Sequence, residues 1–483
     1  MCVLELAIRR IFLRICLDKK GEDMKHIASI IKNNRFTVLL VVWGMIDLLC
    51  AILCDIHADE AYYRLYGQYL DWGYFDHPPM VALMTFISDV LVPGTSIVAK
   101  NLSVRLMTVL LHMATAFLVW KTLNIKDRTD KRTQNVFFLI AGSMVMFNAY
   151  GFITAPDAPL LFFGALFYYA YRQYLCEASW KYAFLLSVSI AGMFYSKYMA
   201  VLAVGFIVLS NWRLICDKRL WAAIGLAAVM LIPHLYWQYA NNFPSFTYHL
   251  VDRSMNYNWL YTLDYLPNQL VVFNPLAYGL MIWLAVRGLK SEDMWQRGMS
   301  WSILGFQLFF LTMTVRGHVE PHWTMLTSIP AIVMLVEDWL SNPTNTHSLF
   351  AKRWVRTTMV VMFGLVLVAR VVLMLNVLPA RTGLANLRPY YAAIHEAAEG
   401  LPVVFGGSFQ RPSLYRFYYD DNAVLVRQEY DRYTQYDLLQ LEKELLGKKV
   451  CLIRAHEDNE QITVGNHVIS RRMVEELSME DLQ

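Results

Sequence analysis

Apolar runs of roughly 17 to 25 residues recur along this sequence from Phe36 to Leu378, each long enough to cross a hydrocarbon core of about 30 Å as a helix. A bilayer supplies no partner for exposed backbone groups, so a chain built from such runs folds as a mainly α polytopic bundle. About eleven spans are expected. Composition agrees, because 57% of the 483 residues are hydrophobic and 17% are charged, a balance that a soluble globular protein rarely tolerates. The net charge of +4 is small and the basic residues sit in short loops between runs, which argues against nucleic acid as a partner.

Those basic residues report orientation instead. The first 35 residues carry Arg9, Arg10, Arg14, Lys19, Lys20, Lys25, Lys32 and Arg35, with no small-residue cleavage site before the first run. They read as a cytoplasmic tail. Loops 126–132, 213–219, 287–297 and 352–356 are basic too and fall at alternate turns of the path, so the amino terminus is expected inside and the carboxyl terminus outside. The expected organisation is a basic tail over 1–35, a membrane domain over 36–379 with external loops 55–102 and 238–266, and an extracytoplasmic α/β domain over 380–483. In that last part, apolar segments 402–405, 424–426 and 450–453 alternate with helical patterns at 408–419 and 436–446.

Spans are expected at 37–54, 103–123, 135–153, 158–174, 221–237, 267–286, 300–315, 324–340 and 359–378, with two more in the stretch 182–212, which Ser196-Lys197-Tyr198 interrupts. The first external segment is too long for a simple turn. Within it, Tyr62, Leu65, Tyr66 and Tyr69 have helical spacing, ended by Gly73 and Pro78-Pro79, and read as a helix at the membrane interface with its tyrosines at headgroup level. Residues 80–91 are too short to span and are expected to lie along the surface. The cysteines show neither a disulfide framework nor zinc spacing, and GxGxxG is absent.

Polar residues capable of chemistry cluster at the ends expected outside. Asp59-Glu60 follows the first span; the pair reads either as acids at a helix amino terminus or as a general base where lipid meets water. Asp76-His77 precedes Pro78-Pro79, where the alternative is a plain interfacial turn. Asp157 stands between Pro156 and Pro159 at a span boundary, as a helix cap or as a second acid. Lys197 lies between apolar segments, where an unpaired cation costs roughly 2.5 to 3.5 kcal/mol at mid-bilayer, so it should face an acid, a phosphate or water. Arg316, His318, Glu320 and His322 crowd one turn beside Trp323. Snorkelling and aromatic anchoring account for Arg316 and Trp323 but not for the other three. His318, Glu320 and His322 are expected to line one cavity with Asp76 and His77, and this mixture of imidazole and carboxylate suits zinc or a similar divalent ion.

The ordered set Asp59-Glu60, Asp76-His77-Pro78-Pro79, Pro156-Asp157-Ala158-Pro159-Leu160, Ser196-Lys197-Tyr198 and His318-Val319-Glu320-Pro321-His322-Trp323 resembles bacterial members of the protein mannosyltransferase-like group of GT-C glycosyltransferases. Aminoarabinose lipid A transferases and lipopolysaccharide galacturonic acid transferases are related to that group. The resemblance covers about residues 36–380 and implies a polyprenyl-phosphate sugar donor, inverting transfer to a hydroxyl acceptor on a glycan, lipid or protein, and an extracytoplasmic site in the cytoplasmic membrane. It makes Asp59 the catalytic base with Glu60 beside it, Asp157 the second acid and Lys197 the contact for donor phosphate; metal dependence varies across the group. The aminoarabinose enzymes have Glu-Lys where this chain has Asp76-His77, so the resemblance does not carry their donor over to this chain. A lipid-linked sugar transporter or flippase is the rival reading; it predicts charges deep on both sides and inverted repeats, and neither is visible.

Overall fold

A computed structural model of the chain describes residues 34–249, 256–341, 349–378, 387–419, 423–427 and 431–453, with strands at 461–464, 467–470 and 472–474. The path begins with α1 (Arg35–Leu53), two short helices, α2 (Ala58–Gln68) and α3 (Met80–Leu91), and then α4 (Ile97–Thr122). A broken pair, α5 (Lys131–Ser143) and α6 (Val145–Ala149), leads to α7 (Asp157–Cys176) and α8 (Trp180–Ser196), and α9 (Ala200–Ser210) follows past Lys197. After α10 (Lys218–Ala240) and the single turn α11 (Pro244–Thr247) come α12 (Trp259–Phe273), α13 (Pro275–Gly288) and α14 (Met294–Met313). A 3₁₀ helix over Pro321–Thr327 feeds α15 (Ser328–Leu340), and α16 (Arg353–Met374) completes the bundle.

Among the described residues, five helical stretches are long and apolar enough to cross a membrane: α1, α4, α10, Pro321–Leu340 and α16. The pair α12 and α13 makes a sixth if it is one bent span. The other expected spans fall on helices too, α5 to α9 and α14, which are shorter or less uniformly apolar. α8 and α9, of 17 and 11 residues, meet at the interruption expected at Ser196-Lys197-Tyr198, whereas the break between α5 and α6 falls inside the span expected at 135–153. A break of 101° separates α12 from α13 inside the span expected at 267–286. Its cause is local. Asn274 takes φ 71° with ψ 150°, a conformation that residues with a Cβ rarely hold, its carbonyl oxygen Oδ1 accepts from Ala277 N at 2.8 Å, and Pro275 starts the new helix. Its Nδ2 donates to Ser143 O at 2.8 Å, tying the bend to the end of α5.

Charge is also buried within the bundle. Asp47 on α1 accepts from Arg370 Nη1 on α16 at 2.6 Å and lies 2.8 Å from His112 Nδ1 on α4. Arg370 Nη2 donates to Asn148 O at 2.8 Å. The arginine therefore keeps a counter-charge and backbone acceptors in a setting where a lone cation is costly.

After the bundle come α17 (Arg388–Ala397), β1 (Val403–Gly406), α18 (Gln410–Tyr419), β2 (Val424–Val426), α19 (Gln435–Leu439), β3 (Val450–Ile453), β4 (Gln461–Val464), β5 (His467–Ser470) and β6 (Arg472–Val474). The first three strands fall on the apolar segments expected from sequence. They form a sheet in the order β2-β1-β3-β6, with β1 parallel to both β2 and β3 and β6 antiparallel to β3; β4 and β5 pair separately. A parallel β1–β2 pair needs a crossover, and α18 provides it.

The surface that this unit covers is α2. Ile56, Ala61 and Val104 share a core with Tyr391, Ile394, Phe405, Leu414 and Tyr415, while Tyr62, Tyr66 and Tyr74 pack with Leu425 and Tyr436. Tyr62 and Tyr66 are buried, so two of the three tyrosines expected at headgroup level are core residues instead, while Tyr69 is exposed. The helix was legible, but its covering was not, because an amphipathic face reads alike whether lipid or protein lies over it.

Replacing Arg370 by Met leaves Asp47 buried without its cation. The loss should be on the order of 3 kcal/mol, read as a lower unfolding midpoint of the detergent-purified protein. Arg370→Lys should recover part of it.

Candidate active site

The turn from α1 into α2 is held by one arginine. Arg105 on α4 is buried, and its Nε and Nη2 donate to Glu60 at 2.7 and 2.6 Å. Its remaining bonds reach Ala51 O at 3.2 Å, Cys54 O at 2.7 Å and Asp55 O at 2.8 Å, satisfying carbonyls where α1 ends. Glu60 also accepts from His57 N at 3.0 Å and Thr154 N at 2.8 Å. Glu60 is thus fully engaged and out of contact with solvent.

Asp59, one residue earlier, faces differently. His57 Nδ1, not an aspartate, caps α2 by accepting from Asp59 N at 3.2 Å. The Asp59 carboxylate is 41% exposed and accepts from Gln410 Nε2 of α18 at 2.8 Å. An acid beside a helix amino terminus, exposed and not used in capping, keeps an oxygen for chemistry.

The second acid meets the lysine. Asp157 opens α7 and Lys197 follows α8; the two helices pack together and are joined by 177–179, so the chain returns to the level at which it left. Lys197 Nζ donates to Asp157 Oδ2 at 2.7 Å, and His322 Nε2 lies 3.8 Å from the same oxygen. Asp157 Oδ1 is buried with no hydrogen-bond partner, and no side-chain cap bond is formed at this helix start. Of the three environments open to Lys197, the fold supplies an acid.

Between these groups stand Tyr63 and Tyr150. Burial first, then the negative charges of Asp59, Asp76 and Asp157, push the Tyr63 phenol well above its ordinary value. Tyr150 is pushed the same way by burial, then by Asp157, Asp59 and Glu320. Both remain protonated donors; the charges of Asp59 and Asp157 act on both tyrosines, and that of Glu320 on Tyr150. The Tyr150 ring also lies 5.9 Å from that of His322.

Asp76 and His77 occupy the same neighbourhood in unequal roles. Asp76 is nearly buried, accepts from the Tyr66 hydroxyl, and forms an ion pair with Arg432 of the carboxyl-terminal unit at 2.6 Å. His77 Nε2 lies 3.3 Å from the Tyr63 hydroxyl. Burial, with the positive charges of Lys197 and His249 behind it, holds His77 well below the ordinary imidazole range, so it is neutral. His318 and Glu320 pair at 3.6 Å with side chains 42% and 40% exposed, and Arg316 lies on the exposed turn before them. The single metal cavity expected from these residues does not assemble: among the described residues no three His, Cys, Asp or Glu side chains converge as ligands. Asp76 is committed to Tyr66 and Arg432, and His322 turns to Asp157.

Arg105, Gln410, Arg432, Tyr63 and Tyr150 did not stand out in the sequence. Arg105 carried a signal, since an arginine inside a run of membrane-spanning length requires a partner.

The profile of the dolichyl-phosphate-mannose-protein mannosyltransferase family matches residues 76–237. A lipid A galacturonosyltransferase, RgtD, of Rhizobium johnstonii is 24% identical over 317 residues, spanning 62% of this chain and 65% of that protein, just under two thirds of its length. Among solved structures, ArnT from Cupriavidus metallidurans in the apo state superposes with a TM-score of 0.61 at 13% identity, over 87% of this chain and 93% of that one. The same protein bound to undecaprenyl phosphate gives 0.57 at 16% identity over the same shares. The archaeal oligosaccharyltransferase AglB from Archaeoglobus fulgidus, in complex with an inhibitory peptide and a dolichol-phosphate, gives 0.50 at 10% identity over 88% and 70%. The fold is therefore that of the GT-C multi-pass membrane glycosyltransferases. Within residues 76–237, about a third of the chain, the sequence is similar to the protein mannosyltransferase family.

His77 gives a pH prediction. Its folded-state value is depressed, so below about pH 6.5 the unfolded chain binds the extra proton, and stability falls as pH falls, by at most about 1.4 kcal/mol per unit. Unfolding midpoints from about pH 7.5 to 5.5 should decline more steeply in the native protein than in His77→Gln.

Proposed function

We propose that the protein is an inverting glycosyltransferase that moves a sugar from a polyprenyl-phosphate donor to a hydroxyl acceptor on a lipid A or other glycan, lipid or protein. The observation that carries this reading is the gathering of an exposed carboxylate, Asp59, and a buried lysine–aspartate pair, Lys197–Asp157, around Tyr63 and Tyr150. The undecaprenyl phosphate bound by ArnT and the dolichol-phosphate bound by AglB support a donor of this class.

In the proposed reaction the acceptor oxygen attacks the anomeric carbon as the bond from that carbon to the phosphate oxygen breaks. The acceptor proton goes to Asp59, and the electron pair leaves with the polyprenyl phosphate. Lys197 offsets the charge of the leaving phosphate, and Asp157 fixes the ammonium at its station. Glu60 is assigned to the scaffold because its oxygens are taken by Arg105 and two backbone amides. His77, His322 and the protonated tyrosines offer hydrogen bonds to sugar or phosphate.

Asp59→Asn keeps the shape and removes the base. Turnover of a labelled polyprenyl-phosphate sugar in proteoliposomes should fall by about 10² to 10⁴ while donor binding persists; near-normal turnover would sink the assignment. Lys197→Met should instead weaken donor affinity.

We further propose that the site lies on the extracytoplasmic face of the cytoplasmic membrane, on the strength of the basic loops at the opposite turns. A reporter active only in the cytoplasm, fused after Gln483, should stay silent. Strong activity would reverse the orientation.

A further inference from the structure

Asp59 has two oxygens and a sparse set of neighbours. Oδ1 accepts from Gln410 Nε2 at 2.8 Å, and Oδ2 lies 3.7 Å from His57 Nδ1, whose ring nitrogen already accepts from Asp59 N. His57 stands on the same turn, and the charge of Asp59 acts on Tyr63, one helical turn on, and on Tyr150 from the segment after α6. Glu60 points away into Arg105. The side-chain amide that fixes the carboxylate thus comes from 351 positions along the chain, on α18 of the carboxyl-terminal unit.

We propose that Gln410 is a positioning residue for the proposed base: its amide locks one oxygen of Asp59 so that the other presents a lone pair to the acceptor hydroxyl. This inference rests on the assignment of Asp59 made above. A carboxylate on a single short side chain otherwise turns about its χ angles, and a base must sit within about 3 Å of the proton that it removes. Gln410 is well placed to do this because α18 is itself anchored. Its Ser413 hydroxyl donates to Phe409 O at 2.7 Å and lies 3.0 Å from the Tyr436 hydroxyl, and Arg416 Nη2 donates to Gln68 Oε1 at 3.3 Å. The carboxyl-terminal unit thereby supplies part of the active site instead of only covering it.

Gln410→Met conserves length and volume and removes the donor. Turnover number should drop roughly ten- to a hundredfold, the effect of losing a hydrogen bond to a charged group, with donor KM unchanged. That split, turnover lowered at constant donor KM, is the readout. A purely structural residue would lower the amount of folded enzyme and leave turnover per folded molecule alone. Arg416→Gln, which loosens the contact with Gln68 away from Asp59, serves as the control: it should lower the unfolding midpoint and leave turnover per folded molecule in place. If folded Gln410→Met keeps native turnover, the positioning role is overturned. If Arg416→Gln lowers turnover per folded molecule equally, domain seating and not the amide is responsible, which also overturns it. Failure of the underlying assignment is seen separately, as activity in Asp59→Asn.

Discussion

The buried pair of Arg105 and Glu60 is the interaction on which the rest of this site depends. Two opposite charges removed from water bear a desolvation cost that attraction alone does not offset unless every donor and acceptor is used. Here the guanidinium engages all of its N–H groups, with Glu60 and with the carbonyls of Ala51, Cys54 and Asp55, and Glu60 takes two backbone amides besides. The bonds reach four separate pieces of chain: the end of α1, the start of α2, the middle of α4 and the segment before α7. One side chain therefore fixes where the membrane helix stops and the polar turn begins. Through Thr154 it also sets the level of Asp157, three residues on.

That arrangement divides the acids by environment. Glu60 and Asp59 are neighbours in sequence, yet a helix turns by about 100° per residue, so one carboxylate enters the arginine while the other faces the open side. Asp157 is different again, buried and tied to Lys197. The three carboxylates are thereby confined to separate roles. An acid committed to a guanidinium is a poor base, an acid bound to an ammonium orients it, and an acid held by a neutral amide keeps a lone pair for a proton.

Much of this was legible in the sequence, for a physical reason. Charged residues at the ends of apolar runs have few places to go, so Asp157, Lys197 and His322 announce themselves and come into contact. The strands at 403–406, 424–426 and 450–453 were equally plain, since short apolar stretches between polar helices have few other uses. The breaks were less so. Hydropathy averages over a window and does not register a cap such as Asn274, whose effect depends on one φ and two hydrogen bonds. Nor does it assign partners across hundreds of residues. Gln410 and Arg432 look like ordinary polar surface until α18 and the turn before α19 are laid over Asp59 and Asp76.

The lysine shows why pairing and function are compatible. A cation left alone at this depth would lose its proton or draw in water, so a lysine meant to meet an anionic ligand must be kept charged while it waits. Asp157 does so with one oxygen, and its other oxygen is buried without a partner. An unsatisfied carboxylate oxygen costs stability, and a fold retains such a cost where something else completes the bond. A sugar hydroxyl offers that donor. In the proposed reaction, a phosphate arriving beside Lys197 would bring the sugar that it carries within reach of the same acid, and the buried pair would then hold both the leaving group and the ring attached to it.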